Sequence, residues 1–190
     1  MSKIHWKPGT MIYPLPAVMV SCGHQPEEYN IITIAWTGTI NSDPPMCSIS
    51  IRPGRHSCEI IKRTGEFVIN LTTEELAKAT DWCGCRSGRK YNKWEKMNLT
   101  PLPAKIVKAP IIGESPVNIE CVVKNILELG THHMFIAEVV NVSIDDKYLD
   151  EQQAFSFAKA RPLVYNHGHY FGLGKMIGKF GWSVQKKKQK

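Results

Sequence analysis

Apolar and polar side chains alternate with a period of two along much of the chain, the spacing of a strand with one buried face. Residues 15–22 (LPAVMVSC), 31–40 (IITIAWTGTI), 46–52 (MCSISIR) and 66–71 (EFVINL) are short, rich in β-branched residues and bounded by Pro, Gly, Asn or Asp. Gly38 inside the second run predicts a bulge or a close backbone approach. Two longer runs, 116–128 (PVNIECVVKNILE) and 132–144 (HHMFIAEVVNVSI), flank Gly130-Thr131 and predict a hairpin. Extended pieces at 163–166 and 169–172 complete the strands.

Helical signals are fewer. Ser57 is placed to cap a helix that runs to Arg63 and stops at Gly65. Thr72-x-x-Glu75 reads as a capping box, with Leu71 and Leu76 as its staple, for a helix over 73–81. A third short helix is expected around 146–155. Many short strands with regularly spaced turn signals predict a mainly β protein, an antiparallel barrel with a few helices. Strict alternation of strands and helices is missing, so a doubly wound sheet fits less well. The three prolines of 98-NLTPLPAKIVKAP-110 mark an extended loop rather than a domain boundary. Residues 1–182 are therefore expected to form one domain, and 183–190 a disordered basic tail.

Composition changes the picture in one respect. At 190 residues, 43% hydrophobic and 22% charged, the chain is long and apolar enough to bury a core without staples. No apolar run approaches a membrane span and no secretory signal is evident, which points to the cytoplasm. The six cysteines fit that compartment as reduced thiols, and neither Cys83-Gly84-Cys85 nor Cys22-x-His24 makes a zinc signature. Adjacent His132 and His133 point to opposite faces of a strand, so neither is expected to bind metal. The net charge of +7 hints at nucleic acid, but six of the 24 basic residues lie in 175–190. The rest of the chain is close to balance, so no nucleic-acid face is expected.

The chemistry concentrates in 46-MCSISIRPGRHSCEII-61. Alternation sets Ser48, Ser50 and Arg52 on one strand face and Ile49 and Ile51 on the other. Pro53-Gly54 turns the chain into a helix whose first turn offers unpaired N–H groups and the positive end of the helix dipole. Arginines, a histidine and hydroxyls beside such a terminus suit a phosphate. The pattern alone fits an ordinary cap flanked by surface arginines equally well. Upstream, Asn30 and Thr33 put short polar groups on an otherwise apolar strand, and Trp36 fits either a core position or a flat ligand.

Taken in order, NIITIAWTG, DPPMCSISIRPGRHSCEII, GEFVINL and DWCGCRSGRKYNKW resemble the flavin reductase-like family of FMN-binding split barrels, in particular its flavoredoxin-like branch. The likeness runs over residues 8–175 and includes KPGTMIYPLPAVMVSC and HGHYFGLGK. It implies a split β-barrel of Greek-key type, a homodimer, and FMN near the subunit interface. It also implies an oxidoreductase moving electrons from NAD(P)H or a redox protein, with a pure electron carrier as the alternative. By position, Asn30 and Thr33 would meet the polar edge of the flavin, with the backbone of Ile34, Ala35, Trp36 and Thr37 along the ring. Ser50, Ile51, Arg52, His56 and Ser57 would hold the ribityl chain and phosphate, and Ser87, Gly88 and Lys93 would approach from the next loop. His167, Tyr170 and Lys175 would meet the electron donor or acceptor. The flavin would carry the chemistry, so no catalytic side-chain set and no metal are expected. Cys85 departs from the family pattern.

Overall fold

The computed structural model describes residues 1–185. The first predicted strand is two, β1 (Leu15–Pro16) and β2 (Val18–Cys22), which join different sheets on either side of Ala17. The run read as one strand over 31–40 is also two, β3 (Asn30–Ile34) and β4 (Thr37–Ser42). Then come β5 (Pro45–Ile51), helix α1 (His56–Thr64), β6 (Glu66–Asn70), α2 (Ala77–Cys85) and α3 (Lys93–Met97). Two-residue strands β7 (Pro101–Leu102) and β8 (Ile111–Ile112) lead to the long hairpin β9 (Val117–Glu128) and β10 (His133–Ile144). The hairpin β11 (Leu163–Asn166) and β12 (His169–Gly172) adds to β1 as a three-stranded sheet.

The main sheet has seven strands in the order β3-β2-β6-β9-β10-β5-β4, each pair antiparallel. β3 and β4 lie at opposite edges, yet only Ala35 and Trp36 separate them in the chain. Laid flat, those edges would be about 29 Å apart at the usual strand spacing. Three peptide steps reach only about 10 Å. The sheet must therefore curl until its edges meet, and Trp36 O in the link between them accepts from the Ser50 amide at 2.9 Å, continuing the β4–β5 ladder up to the crossing. The result is a mainly β barrel whose seam runs past residues 34–37.

Alternation decides what fills it. Val18, Val20, Ile32, Ile34, Ile49, Ile51, Phe67 and Phe135 are buried in one interior cluster, as the period-two reading required of Ile49 and Ile51. The outer faces of β2 and β3 are covered as well: Met19 and Ile31 pack with Leu76, the N-cap of α2, and with Ala79, Cys83 and Trp94 of α2 and α3. The Pro-rich loop lies along the outside, held by buried polar side chains. Glu120 accepts backbone N–H groups of Lys105, Ile106 and Val107 at 3.0, 2.7 and 3.0 Å, and the Asn141 amide at 2.7 Å.

Several expectations about local structure need correction. Helix α1 starts at His56 with Arg55 as its N-cap, so Ser57 is not the cap but a buried residue of the first turn. Its stop at Gly65 stands: Gly65 is left-handed, φ 70°, and its amide donates to Ile61 O at 2.9 Å. Helix α2 begins at Ala77, four residues late, because the Thr72 hydroxyl donates to Ala17 O instead of capping. The bulge against β5 falls between Thr39 and Asn41, not at Gly38. Residues 146–155 hold a 3-10 turn, Asp146–Tyr148, and a bridge between Leu149 and Phe155 rather than an α-helix. Of the tail, Trp182–Val184 is a 3-10 turn, and 186–190 lie outside the described residues. No helix among the described residues is long and apolar enough to cross a membrane.

Candidate functional site

The barrel seam opens into a cleft of about 450 Å³. One wall is β3 and the crossing link, Ile32 to Trp36, and another is the end of β5, Ser50 and Ile51, with Arg52 just beyond it. Asp81, Gly84 and Cys85 of α2 face them, and the β11–β12 hairpin adds Tyr165, Gly168 and Tyr170. A side pocket of about 160 Å³ shares Ile32, Arg55 and Gly84 with the cleft and extends it beneath the start of α1. Asn30, His56, Arg86, Ser87, Gly88 and Lys93 line this extension.

Each wall of the side pocket is fixed from outside. Asn30 Nδ2 donates to Ser57 Oγ at 2.8 Å, tying β3 to the first turn of α1. Arg89 donates to Gly54 O at 3.3 Å and to Glu59 at 2.7 Å, which holds the 86–92 loop against the turn before α1. Lys93 is buried, and its ammonium donates to Ile31 O and Cys83 O at 2.7 and 2.6 Å. Burial pulls its pKa down to about 8, opposed by nearby Cys83. Gly88 leaves no room for a side chain: a Cβ there would sit 2.1 Å from Asn30 Oδ1. Gly88→Ala should therefore lower stability by about 1–3 kcal/mol through overpacking. An unchanged urea midpoint would mean that Asn30 swings aside freely.

Charge is distributed unevenly. Arg63, Arg89 and Arg161 each pair with a carboxylate. The chain's other three arginines, Arg52, Arg55 and Arg86, have no carboxylate partner among the described residues, and all three line the cleft or its extension. His56 Nδ1 is buried there without a hydrogen bond, its nearest carboxylate oxygen being Glu59 Oε2 at 3.9 Å. The arrangement sets unpaired cations and a partnerless imidazole nitrogen next to a slot with apolar and aromatic walls, a chemistry that suits an anionic group.

Most of the expected residues converge here. Thr33, Ile34, Ala35, Trp36, Ser50, Ile51, Arg52 and Tyr170 line the cleft, while Asn30, His56, Ser87, Gly88 and Lys93 line its extension. Ser57 sits behind Asn30 rather than on the surface of the pocket. Thr37 and Lys175 line neither space, and Lys175 lies on an exposed segment beyond β12. His167 is exposed and packs at a tilt of 36° on Tyr13 with centroids 4.0 Å apart, next to Gly168 of the lining.

Other lining residues were not anticipated. His132 packs on Trp36 with centroids 4.5 Å apart, and pairing of His133 with Ile51 brings that hairpin end to the seam. Burial, then the charge of Arg52, lowers the His132 pKa. Asp81 accepts from the Tyr170 hydroxyl at 3.3 Å. Burial, and then Asp81, push the Tyr170 phenol up to about 12. His132 opens the predicted strand run 132–144 and Asp81 opens DWCGCRSGRKYNKW, but neither pattern marks the residue as part of a site. No group of three or more metal-ligating side chains converges among the described residues.

The chain matches the Flavin reductase like domain family over residues 10–174. It belongs to the flavin reductase like family. An uncharacterized protein of Archaeoglobus fulgidus is 35% identical over 139 residues, covering 73% of this chain and 77% of the relative. The flavoredoxin of Desulfovibrio vulgaris (Miyazaki F) superposes with a TM-score of 0.89 at 27% identity, over 97% of this chain and all of that one (100%). The flavoredoxin from Methanosarcina acetivorans gives 0.86 at 27% identity, covering 97% and 100%. Membership of the flavin reductase like family accounts for the architecture: the curled sheet with an open seam is its split barrel.

Proposed function

We propose that the chain is an FMN-binding oxidoreductase that passes electrons from NAD(P)H or a protein donor to a flavin, a metal or a redox partner. The observation that carries this reading is that all three unpaired arginines converge on one end of a flat-walled cleft in a flavin reductase like fold. The donor set fits a phosphate monoester: Arg52, Arg55 and Arg86 supply charge, the first turn of α1 supplies N–H groups, and His56 Nδ1 is left without a partner. Thr33 presents a polar group where a ring edge would lie, Asn30 adds one in the extension, and Trp36 and Tyr165 supply aromatic walls.

A bound flavin supplies the hydride and single-electron chemistry. The residues of this chain bind, orient and tune it. Ordered amides along the crossing link and the nearby cations favour an anionic ring. At roughly 0.3 kcal/mol for each of about thirty non-hydrogen atoms, FMN would be held by about 9 kcal/mol, a sub-micromolar complex.

Similarity to two flavoredoxins favours a second reading, an FMN-binding electron carrier that does not turn over NAD(P)H. The exposed apolar side chains of both terminal segments, among them Ile4, Trp6, Ile12, Ile177 and Phe180, support a homodimer in which they pack on a second copy. Five buried free cysteines are in keeping with a cytoplasmic location.

The visible spectrum of the purified protein, before and after adding FMN, tests the reading. Bound flavin absorbance is expected, and a colourless protein that takes up no FMN would end it. Anaerobic mixing with NADH and NADPH separates the two alternatives, since rapid bleaching of that absorbance rules out the pure carrier.

A further inference from the structure

We propose that Asp81 sets the charge preference of the cleft mouth, favouring cationic over anionic small-molecule electron acceptors. The inference rests on the reading of the cleft as a flavin site, and adds to it the class of oxidant that the site admits.

Asp81 is the one carboxylate that lines the cleft or its extension. It has no basic partner within ion-pair distance among the described residues. Its contact there is the Tyr170 hydroxyl on Oδ1 at 3.3 Å, and the residue is exposed. Arg52 and Arg55 line the same cleft, but a bound phosphate would neutralise them, and His132 is held toward its neutral form. Once an anionic cofactor is seated, Asp81 remains as an unpaired negative charge beside Tyr165, Tyr170 and Cys85, while Arg86 lies in the extension at the phosphate end. A lone charge at the rim of a low-dielectric slot raises the local concentration of oppositely charged reagents and repels like ones.

The hydrogen bond and the charge are separable by substitution. Asp81→Asn keeps an acceptor for the Tyr170 hydroxyl and removes the charge. Tyr170→Phe removes the hydrogen bond and keeps the charge. The FMN-loaded protein, reduced anaerobically by light with EDTA as the sacrificial two-electron donor, is oxidised in a stopped-flow instrument by tris(phenanthroline)cobalt(III) or by ferricyanide. Each complex takes one electron, so two equivalents accept the electron pair as Co(III) becomes Co(II) or Fe(III) becomes Fe(II), and the protons pass to buffer. Asp81→Asn is expected to lower the cation-to-anion rate ratio by about tenfold at about 10 mM ionic strength, and by little at about 0.5 M. Tyr170→Phe should leave the ratio where it was.

Cys85 gives a readout that needs no turnover. It lies one helical turn beyond Asp81 and is exposed, whereas the other five cysteines are buried. Its thiolate attacks the sulfenyl sulfur of a methanethiosulfonate, methanesulfinate leaves, and a mixed disulfide forms that mass spectrometry detects. Asp81→Asn should slow the trimethylammonium reagent relative to the sulfonate reagent by several-fold. FMN uptake with both ratios unchanged overturns this inference alone. A Tyr170→Phe protein that behaves like Asp81→Asn also overturns it, because the effect then belongs to the hydrogen bond. A protein that binds no FMN removes the flavin reading and this inference together.

Discussion

Arg52→Ala is expected to weaken FMN by about 1.5–3 kcal/mol, roughly a 10- to 150-fold rise in Kd. Arg52 stands one residue past Ile51, whose register against His133 fixes the end of β5. Its carbonyl accepts from the Arg55 amide at 3.0 Å, so the backbone that carries the side chain is held on both sides. The guanidinium has no carboxylate to leave, and its charge is therefore free for an incoming anion. Truncation removes a charge-assisted contact without opening the core, because the residue is exposed. Arg52→Lys should fall between the two, since an ammonium keeps the charge but loses the planar fork. Titration of FMN fluorescence measures all three proteins. An unchanged Kd would move the anchor to Arg55 or Arg86.

Glu120→Ala should cost about 3–5 kcal/mol of folding stability. The carboxylate is buried on the outer face of β9 and accepts four N–H groups, three of them from the backbone of the Pro-rich loop. Alanine leaves those donors without partners and frees the loop. Burial raises the Glu120 pKa, but the hydrogen bonds from Lys105, Ile106, Val107 and Asn141 outweigh it and hold the value below 4.5. A carboxyl with a depressed folded pKa adds stability above its unfolded pKa and loses it as pH falls through the folded one. The difference between wild type and Glu120→Gln should thus be full near neutrality and shrink below about pH 4.5. Urea midpoints across that range decide it, and a gap independent of pH would show that the charge contributes nothing.

The barrel class was legible because its strands bury one face in the interior, and the alternation of 46–51 survives intact in β5. The break at Ala35-Trp36 was not. Both halves of 31–40 are strands, and the event that divides them is a change of hydrogen-bonding neighbour from β2 to β5, which local pattern does not encode. The start of α2 misled for a related reason: Thr72 has a capping side chain, but tertiary contact with Ala17 claims it first. Helix α3 did carry a readable signal. Asn92 accepts from the amides of Trp94 and Glu95 at 3.1 and 3.4 Å and donates to the Glu95 carboxylate at 2.7 Å, a capping pair three residues apart. In the site, Arg52, His56 and Ser87 lie near turn signals on the sequence. Asp81 and His132 reach it only because distant elements close around the seam.

The two-residue crossing has a further consequence. A ligand lodged at the seam touches the β3 margin of the rolled sheet, the crossing link and the end of β5, so occupancy and closure form a single equilibrium. Breathing that parts Trp36 from Ser50 would loosen the ligand, and the ligand would in turn act as a clasp. Mass action then ties the melting temperature to cofactor supply, with about 2.7 kcal/mol of added resistance to unfolding at a hundredfold excess over Kd.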